Sequence, residues 1–171
     1  MAKYFNISGE LTQQLLAPGD NVNVSKISLT NIQKVSKCKV DLYIEKALTG
    51  KFYLMKGVEL PIGATLIYDD IKFSNKNGEF GLYIKLTDGA SFTLTGSIDV
   101  TGTNTAVPGT NTLYTSELSV GDEIVVSGET RTISSITGDT TAVVSAAWGS
   151  DLANDTSPDC NPTALVDVII N

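Results

Sequence analysis

Between Cys38 and Glu45 the chain alternates strictly: Cys38, Val40, Leu42 and Ile44 are apolar, and Lys39, Asp41, Tyr43 and Glu45 fall between them. A period of two sends successive side chains to opposite faces of an extended strand, so this segment predicts one buried row and one mostly polar row. The same signature recurs at Phe80 to Leu86, where Leu82, Ile84 and Leu86 alternate with Tyr83 and Lys85. Shorter runs rich in Val, Ile, Thr, Tyr and Phe fill the chain from Glu10 onward, and no window carries a long helical period. The chain is therefore expected to be all-β.

The turns between these runs are chemically typed. Pro18-Gly19-Asp20 joins Glu10 to Ala17 with Asn21 to Thr30 and predicts a hairpin, because Pro presets φ and Gly accepts a positive one. Thr49-Gly50, Leu60-Pro61-Ile62-Gly63 and Asn75 to Gly78 mark further reversals. Short strands at regular spacing point to a sandwich or barrel.

After Leu86 the composition changes. From about Ser97 the chain is rich in Thr, Ser, Gly and Asp, with short strands expected at Ser97 to Thr101, Glu123 to Ser127, Arg131 to Ile136 and Thr141 to Ala146. Glycine-bearing turns separate them, and the set suffices for a small closed barrel. Asp151 to Pro162 reads as a polar linker. The final run, Leu165 to Ile170, regains the β-branched character of the first part and has no turn-linked partner in the middle segment. It is expected to pair back with the first domain, beside Phe80 to Leu86, which makes the middle segment an insertion; the competing arrangement is a simple tandem. The domains are then 1–94 plus 163–171 for the sandwich and 97–160 for the inserted barrel and its linker.

Charge divides along the same line. Between Ser97 and Cys160 nine acids face Arg131 alone, a net of −8, whereas the remainder holds eleven lysines against ten acids, a net of +1. Different surroundings for the two parts would explain this, and so would an acidic surface that merely aids solubility. The overall charge of −7 offers no basic footprint for nucleic acid, and no run approaches the roughly 20 apolar residues of a membrane span or the apolar stretch of a signal peptide. Neither a nucleic acid nor a membrane is an expected partner.

Chemistry is sparse. With no histidine in the chain, a serine triad and a His-based zinc site are excluded. No Gly-rich turn opens a helix after a strand, so the phosphate and dinucleotide loops are missing. Asp69-Asp70 and Asp122-Glu123 are adjacent carboxylates at turns, unsuited to face one another across a glycoside. No enzymatic activity, cofactor or metal is expected, although Asp151, Asn154, Asp155 and Asp159 place calcium-type oxygens in one stretch that reads equally as a solvated linker. Cys38 and Cys160 match no metal or redox spacing, and either two buried thiols or one long bridge fits. Trp148 with Tyr43, Tyr53 and Tyr83 could stack sugars, and Trp148 could instead plug the small barrel.

The segments VSKISLTN, VDLYIEK, KFYLMKGVELPIGATLIYDD and FGLYIKL, within Val24 to Leu86, together with the closing LVDVIIN, resemble an Ig-like β-sandwich of tailed-bacteriophage structural proteins, especially of phages of marine bacteria. The stretches GTNTLYTSELSVGDEI and ETRTISSIT resemble a second, barrel-like phage module. The resemblance implies an Ig-like antiparallel β-sandwich with a small β-barrel domain inserted before the last strand. It also implies a virion structural protein without catalytic residues, assembled in the host cytoplasm. Expected partners are other virion proteins, the major capsid protein or neck and tail proteins, and further copies of the chain, with trimers around local axes as the natural symmetry. A capsid decoration protein is the leading expectation; a neck, tail or baseplate accessory and a host-receptor or carbohydrate-binding module are the alternatives. Met1 to Gly9 with Lys34, Lys37 and Lys39 are the candidate docking residues, and Trp148 is the candidate ligand contact.

Overall fold

The structure, a computed structural model, describes residues 1–76 and 80–171. It divides into two compact units, Met1–Gln33 with Lys37–Asp88 and Ala164–Asn171, and Lys34–Ser36 with Gly89–Thr163. Residues 89–94 thus belong to the second unit rather than the first. Nearly all regular structure is antiparallel β.

The first unit contains β1 (Lys3–Ser8), β2 (Gln13–Leu16), β3 (Asn23–Val24), β4 (Ile27–Asn31), β5 (Cys38–Lys46), β6 (Gly50–Leu60), β7 (Thr65–Tyr68), β8 (Phe73–Ser74) and β9 (Gly81–Thr87). The second contains β10 (Phe92–Thr93), β11 (Ser97–Val100), β12 (Ala106–Thr110), the one-turn α1 (Tyr114–Glu117), β13 (Glu123–Val126), β14 (Glu129–Gly138), β15 (Thr141–Val144), β16 (Leu152–Asp155) and β17 (Asp159–Asn161). The chain then returns to the first unit as β18 (Leu165–Ile170).

The first unit is a sandwich of two four-stranded sheets, ordered β1-β18-β4-β7 and β2-β9-β5-β6, with β3 and β8 paired alongside. Its core is made of the alternating residues of both: Ile7, Ile27, Leu29, Val166, Val168 and Ile170 from one sheet, and Leu16, Val40, Leu42, Leu82, Ile84 and Leu86 from the other. β18 lies between β1 and β4, with Val168 opposite both Phe5 and Leu29. The expected neighbour, the Phe80 to Leu86 strand, has both ladders occupied already, by β2 and β5. Residues Lys3–Ser8 of the segment Met1 to Gly9 form no separate arm but the edge strand of the sandwich, paired with β18.

The Pro18-Gly19-Asp20 turn forms, with Asp20 N–H donating to the Ala17 carbonyl at 3.2 Å, but it closes no hairpin. β2 pairs with β9 and β4 with β18 and β7, so this turn arches from one sheet to the other. Alternation places apolar side chains inward in either arrangement, and for that reason cannot distinguish an arch from a hairpin. The turn expected at Asn75 to Gly78 lies partly outside the described residues.

The second unit is an open sheet, ordered β10-β17-β13-β14-β15-β12-β11-β16, with a core of its own around Ile98, Val107, Tyr114, Ile124, Val126, Ile133 and Trp148. Among the described residues β10 and β16 are its two ends, and the sheet does not close into a ring as expected. The polar linker expected at Asp151 to Pro162 holds β16 and β17, paired with β11 and β13. β17 offers Cys160 as its one apolar residue, opposite Ile124, too short a signal for any periodicity to register. Among the described residues no helix is long and apolar enough to cross a membrane.

Candidate functional site

The outward face of β2-β9-β5-β6 concentrates the aromatic residues of the first unit. Tyr83 on β9, Tyr43 on β5 and Tyr53 on β6 stand in register. The Tyr43 ring lies 5.6 Å from Tyr83, nearly parallel, and 5.5 Å from Tyr53, tilted. Such pairs contribute about 0.5–1.5 kcal/mol each beyond their buried area. Gln14 Nε2 donates to the Tyr83 hydroxyl at 2.8 Å, and the Tyr83 ring lies over Gly81, where any side chain would displace it. Tyr43 belongs to the outward row but is only 2 % exposed, because its neighbours on both adjoining strands and Lys51 enclose it.

Lysines complete this face. Lys51 Nζ sits 4.5 Å from the centre of the Tyr43 ring and donates to its hydroxyl at 3.3 Å. That hydrogen bond raises the Lys51 pKa, with burial opposing it. Lys56 lies 4.9 Å from the Tyr53 ring. In Ile44's row, on the opposite face of the sheet, Phe52 packs edge-on against Phe80 at 5.9 Å, with Lys46 6.0 Å from the Phe80 ring. An ammonium over an aromatic face is attracted by the ring quadrupole and is thereby held in place. The three tyrosines expected as a sugar platform are brought together, yet Lys51 occupies the face of the central one.

Of the named docking residues, Lys37 and Lys39 converge on Glu59. Lys37 Nζ is 2.9 Å from its carboxylate, and Lys39 is its register partner across β5 and β6. Exposed pairs of this kind contribute about 0–1 kcal/mol. Lys34 is exposed, in the segment that clusters with the second unit.

Trp148 is not a ligand platform. It is 2 % exposed in the second core, with the Arg131 guanidinium 5.4 Å from its ring. Arg131 is fixed in turn by hydrogen bonds to the carbonyls of Thr130 and Ala147 and by a 2.9 Å ion pair with Glu129. Glu129 accepts from Gly149 N–H and Ser150 Oγ as well, and these bonds, led by Gly149, lower its pKa. The indole is clamped as a plug, the structural role open to it from the sequence.

The stretch read as calcium-like is pulled apart. Asp151 accepts from Gly102 N–H at 2.7 Å, Asp155 from Ser127 and Ser157, and Asp159 from Thr93 Oγ1 at 2.8 Å. Among the described residues no three His, Cys, Asp or Glu side chains gather as metal ligands. Asp122 is buried, accepting from Ser119 N–H at 2.7 Å and Thr163 N–H at 2.9 Å, while Glu123 is exposed. Both cysteines are free buried thiols. Desolvation, with a smaller push from Asp88, raises Cys38 to about 11, and desolvation followed by Asp122 raises Cys160 further.

No family model and no curated protein matches the sequence. Among solved structures, the chain is similar to the PBSX exported protein XepA, at 13 % identity over 99 % of this chain and 86 % of that one, with a TM-score of 0.31. It is also similar to a serine protease of Aeromonas sobria (10 % identity, 100 % and 26 % covered, TM-score 0.25) and to infectious bursal disease virus, Gx strain (8 % identity, 99 % and 32 % covered, TM-score 0.21). Scores this low carry no argument about fold or function.

Sequence reasoning singled out the three tyrosines but not the lysines that cap them. The signal was present in the register: a strand reading Lys-Phe-Tyr opposite Tyr-Ile-Glu places Lys51 near Tyr43 once the Thr49-Gly50 turn fixes the pairing.

Proposed function

We propose that this chain is a non-enzymatic structural protein of a tailed-phage virion, a capsid decoration or accessory subunit whose sandwich holds the particle and whose inserted unit is displayed. The observation that carries the reading is the joint of the insertion. The chain leaves the sandwich at Asp88 and re-enters at Ala164, and Asp88 Oδ1 accepts the Ala164 N–H at 2.7 Å. Insertions are tolerated where the two ends of the interrupted chain lie close together, and this supports a unit added to a sandwich that is complete without it. The sandwich keeps a continuous core of its own. The phage-type sandwich motifs in Val24 to Leu86 and LVDVIIN support a particle as the place of docking.

Charge supports the same division of labour. The first unit holds ten lysines against ten acids, and the second holds Lys34 and Arg131 against nine acids, a net of −7. A neutral base packs on a crowded protein lattice without like-charge repulsion, while the acidic unit disfavours anionic surfaces and nucleic acid. Other virion proteins are the partners, and the chain acts in several copies. A neck or tail position is the neighbouring variant of this reading.

The test is co-purification with particles through a density gradient, followed by labelling of intact virions with an antibody to the inserted unit. The chain should be a stoichiometric component with its epitope accessible. Absence from purified particles overturns the virion reading, and presence with a hidden epitope overturns the displayed unit. Glycan binding is the second reading, motivated by the tyrosine row, and the position of Lys51 over Tyr43 weighs against it.

A further inference from the structure

The two sheets of the sandwich present different outer faces. On β2-β9-β5-β6 the outward row of β5 carries Lys39, Asp41 and Glu45, opposite Glu59 and Lys51 on β6 and Lys85 on β9. That is the charged surface expected of a sheet with one face in water. The outer face of β1-β18-β4-β7 departs from it. Phe5, Val168, Leu29 and Leu66 pack inward, so alternation turns Tyr4, Ile169, Ser28 and Ile67 outward, and the register sets them side by side across the sheet. Tyr4 is 73 % and Ile67 51 % exposed, with Ile169 half-buried beside Tyr4. β18 itself reads Leu-Val-Asp-Val-Ile-Ile, apolar on both sides. That is the pattern of a strand covered on both faces, whereas the sandwich core covers only the row of Val166, Val168 and Ile170.

Charges flank the apolar row on opposite sides. Asp167, two residues before Ile169, faces outward and accepts from Asn6 Nδ2 at 2.9 Å. Lys26, two residues before Ser28, exchanges both backbone hydrogen bonds with Asn171, which continues the ladder and turns the Lys26 side chain to the same face. Because β18 and β4 are antiparallel, Asp167 lies on one side of the row and Lys26 on the other. Lys26 is exposed and belongs to no ion pair among the described residues.

We propose that two copies of this chain pack face to face through β1-β18-β4-β7, about a two-fold axis running along the row from Tyr4 to Ile67. Such an axis lays the apolar row of one copy on that of the other. It also carries Asp167 of each copy to the side on which the other holds Lys26, so the face is complementary to itself. The two Asp167 carboxylates then stand about 13 Å apart along the strand direction, beyond the screening length of about 10 Å at 0.1 M salt. Four strands about 4.8 Å apart, up to six residues long at about 3.3 Å each, present about 350 Å² in projection per copy. Counted over both copies, with the relief of the protruding side chains added, the buried area comes close to the roughly 1,000 Å² at which specific interfaces begin. The dimer is therefore weak and concentration-dependent. This inference concerns the isolated chain and is independent of the virion reading.

Sedimentation velocity on the full-length chain tests it: the 18.1 kDa monomer should give way to a dimer as concentration rises through the micromolar range. Ile67→Lys, on an edge strand where lysine is well tolerated, sets two ammonium groups against each other and should weaken the dimer by at least about tenfold. Asp167→Lys and Lys26→Asp should each weaken it, and the chain carrying both exchanges should recover it. Ile67→Cys, on the axis, should be joined to its copy by a short bifunctional maleimide; Thr87→Cys, on the outer face of the other sheet, should not, and the native thiols are buried. Urea midpoints of the variants separate a lost contact from a lost fold. A chain that stays monomeric throughout, a dimer indifferent to Ile67→Lys, or a double exchange that fails to recover what the single ones lose overturns the proposal.

Discussion

Two deletions test whether the sandwich is complete without the segment that interrupts it. Removing Gly89 to Thr163 and joining Asp88 to Ala164 through a short glycine turn replaces a 75-residue connection. The joined residues already share a 2.7 Å hydrogen bond, so no strand of either sandwich sheet has to move. Shortening the connection to about four residues is about four halvings, each reducing the closure cost by about 0.6 kcal/mol, so the gain is at most about 2.5 kcal/mol. The true gain is smaller, because a folded insert already holds its ends together. Removing Leu165 to Asn171 instead takes away the inner strand between β1 and β4, together with Val166, Val168 and Ile170, each no more than 1 % exposed. At about 1.5–3 kcal/mol per side chain the loss is roughly 5–9 kcal/mol, comparable to the whole stability of a typical domain, about 5–15 kcal/mol. Circular dichroism and urea titration of both products provide the assay. The first should unfold cooperatively at a midpoint no lower than that of the sandwich in the full chain, and the second should be unfolded or aggregated through its exposed edges. A folded, soluble product from the second deletion, or an unfolded one from the first, would refute the reasoning.

Glu129 gives a pH signature: its lowered pKa means that its contribution is complete above the unfolded value of 4.5 and is lost as pH falls through the folded one. Melting followed by Trp148 fluorescence should therefore fall with acidification below that range in the native chain and show a shallower dependence in Glu129→Gln. Gly96, at φ +86°, has no room for a Cβ against the Thr110 and Asn111 backbone, so Gly96→Ala should cost the second unit about 1–3 kcal/mol in denaturant titration. A disulfide-exchange reagent at mildly alkaline pH should leave the native protein unlabelled and titrate both cysteines after denaturation, because both thiols are buried and Cys38 ionises only near 11. Trp148 emission should be blue-shifted and insensitive to soluble sugars or iodide; ready quenching would show that the indole is not the buried plug described.

The legible parts of the sequence were those where one face is buried over several residues. β5, β9 and β18 announce themselves because Cys38 to Ile44, Leu82 to Leu86 and Val166 to Ile170 alternate for three or more steps against one core. β1 carries the same signal, Phe5 and Ile7 inward and Asn6 and Ser8 outward, but over only two steps. Sheet membership was less legible than strand existence, since alternation fixes which way a side chain points and not which strand lies beside it. The arch at Pro18-Gly19-Asp20 and the slot between β1 and β4 are both decided by which edges other strands leave open. β16 and β17 were invisible for a different reason: Leu152–Asp155 and Asp159–Asn161 are ordered mainly by backbone pairing and by carboxylates, which leave no hydrophobic pattern. At the tyrosine face the residue types were legible, but the burial of Tyr43 was not, because it depends on a lysine from the next strand.

The acidity of the second unit has a folding explanation that the sequence could not supply. Among the described residues, eight of its nine acids accept hydrogen bonds from loop backbone or hydroxyl groups: Asp99 from Asn154, Glu117 from Thr95, Asp122 from Ser119 and Thr163, Glu129 from Gly149 and Ser150, Asp139 from Thr115, Asp151 from Gly102, Asp155 from Ser127, and Asp159 from Thr93. A sheet of short strands, rich in small polar residues, has little apolar surface per residue with which to fix its loops. A carboxylate that accepts a backbone N–H forms a charge-assisted bond, stronger than a neutral one, and orders the loop at that point. The charge difference between the units therefore arises largely from how the second unit holds its loops, and its field on a partner is a consequence. Glu123, on β13 with its side chain exposed, is the exception, and on that ground it is the acid most free to be spent on recognition.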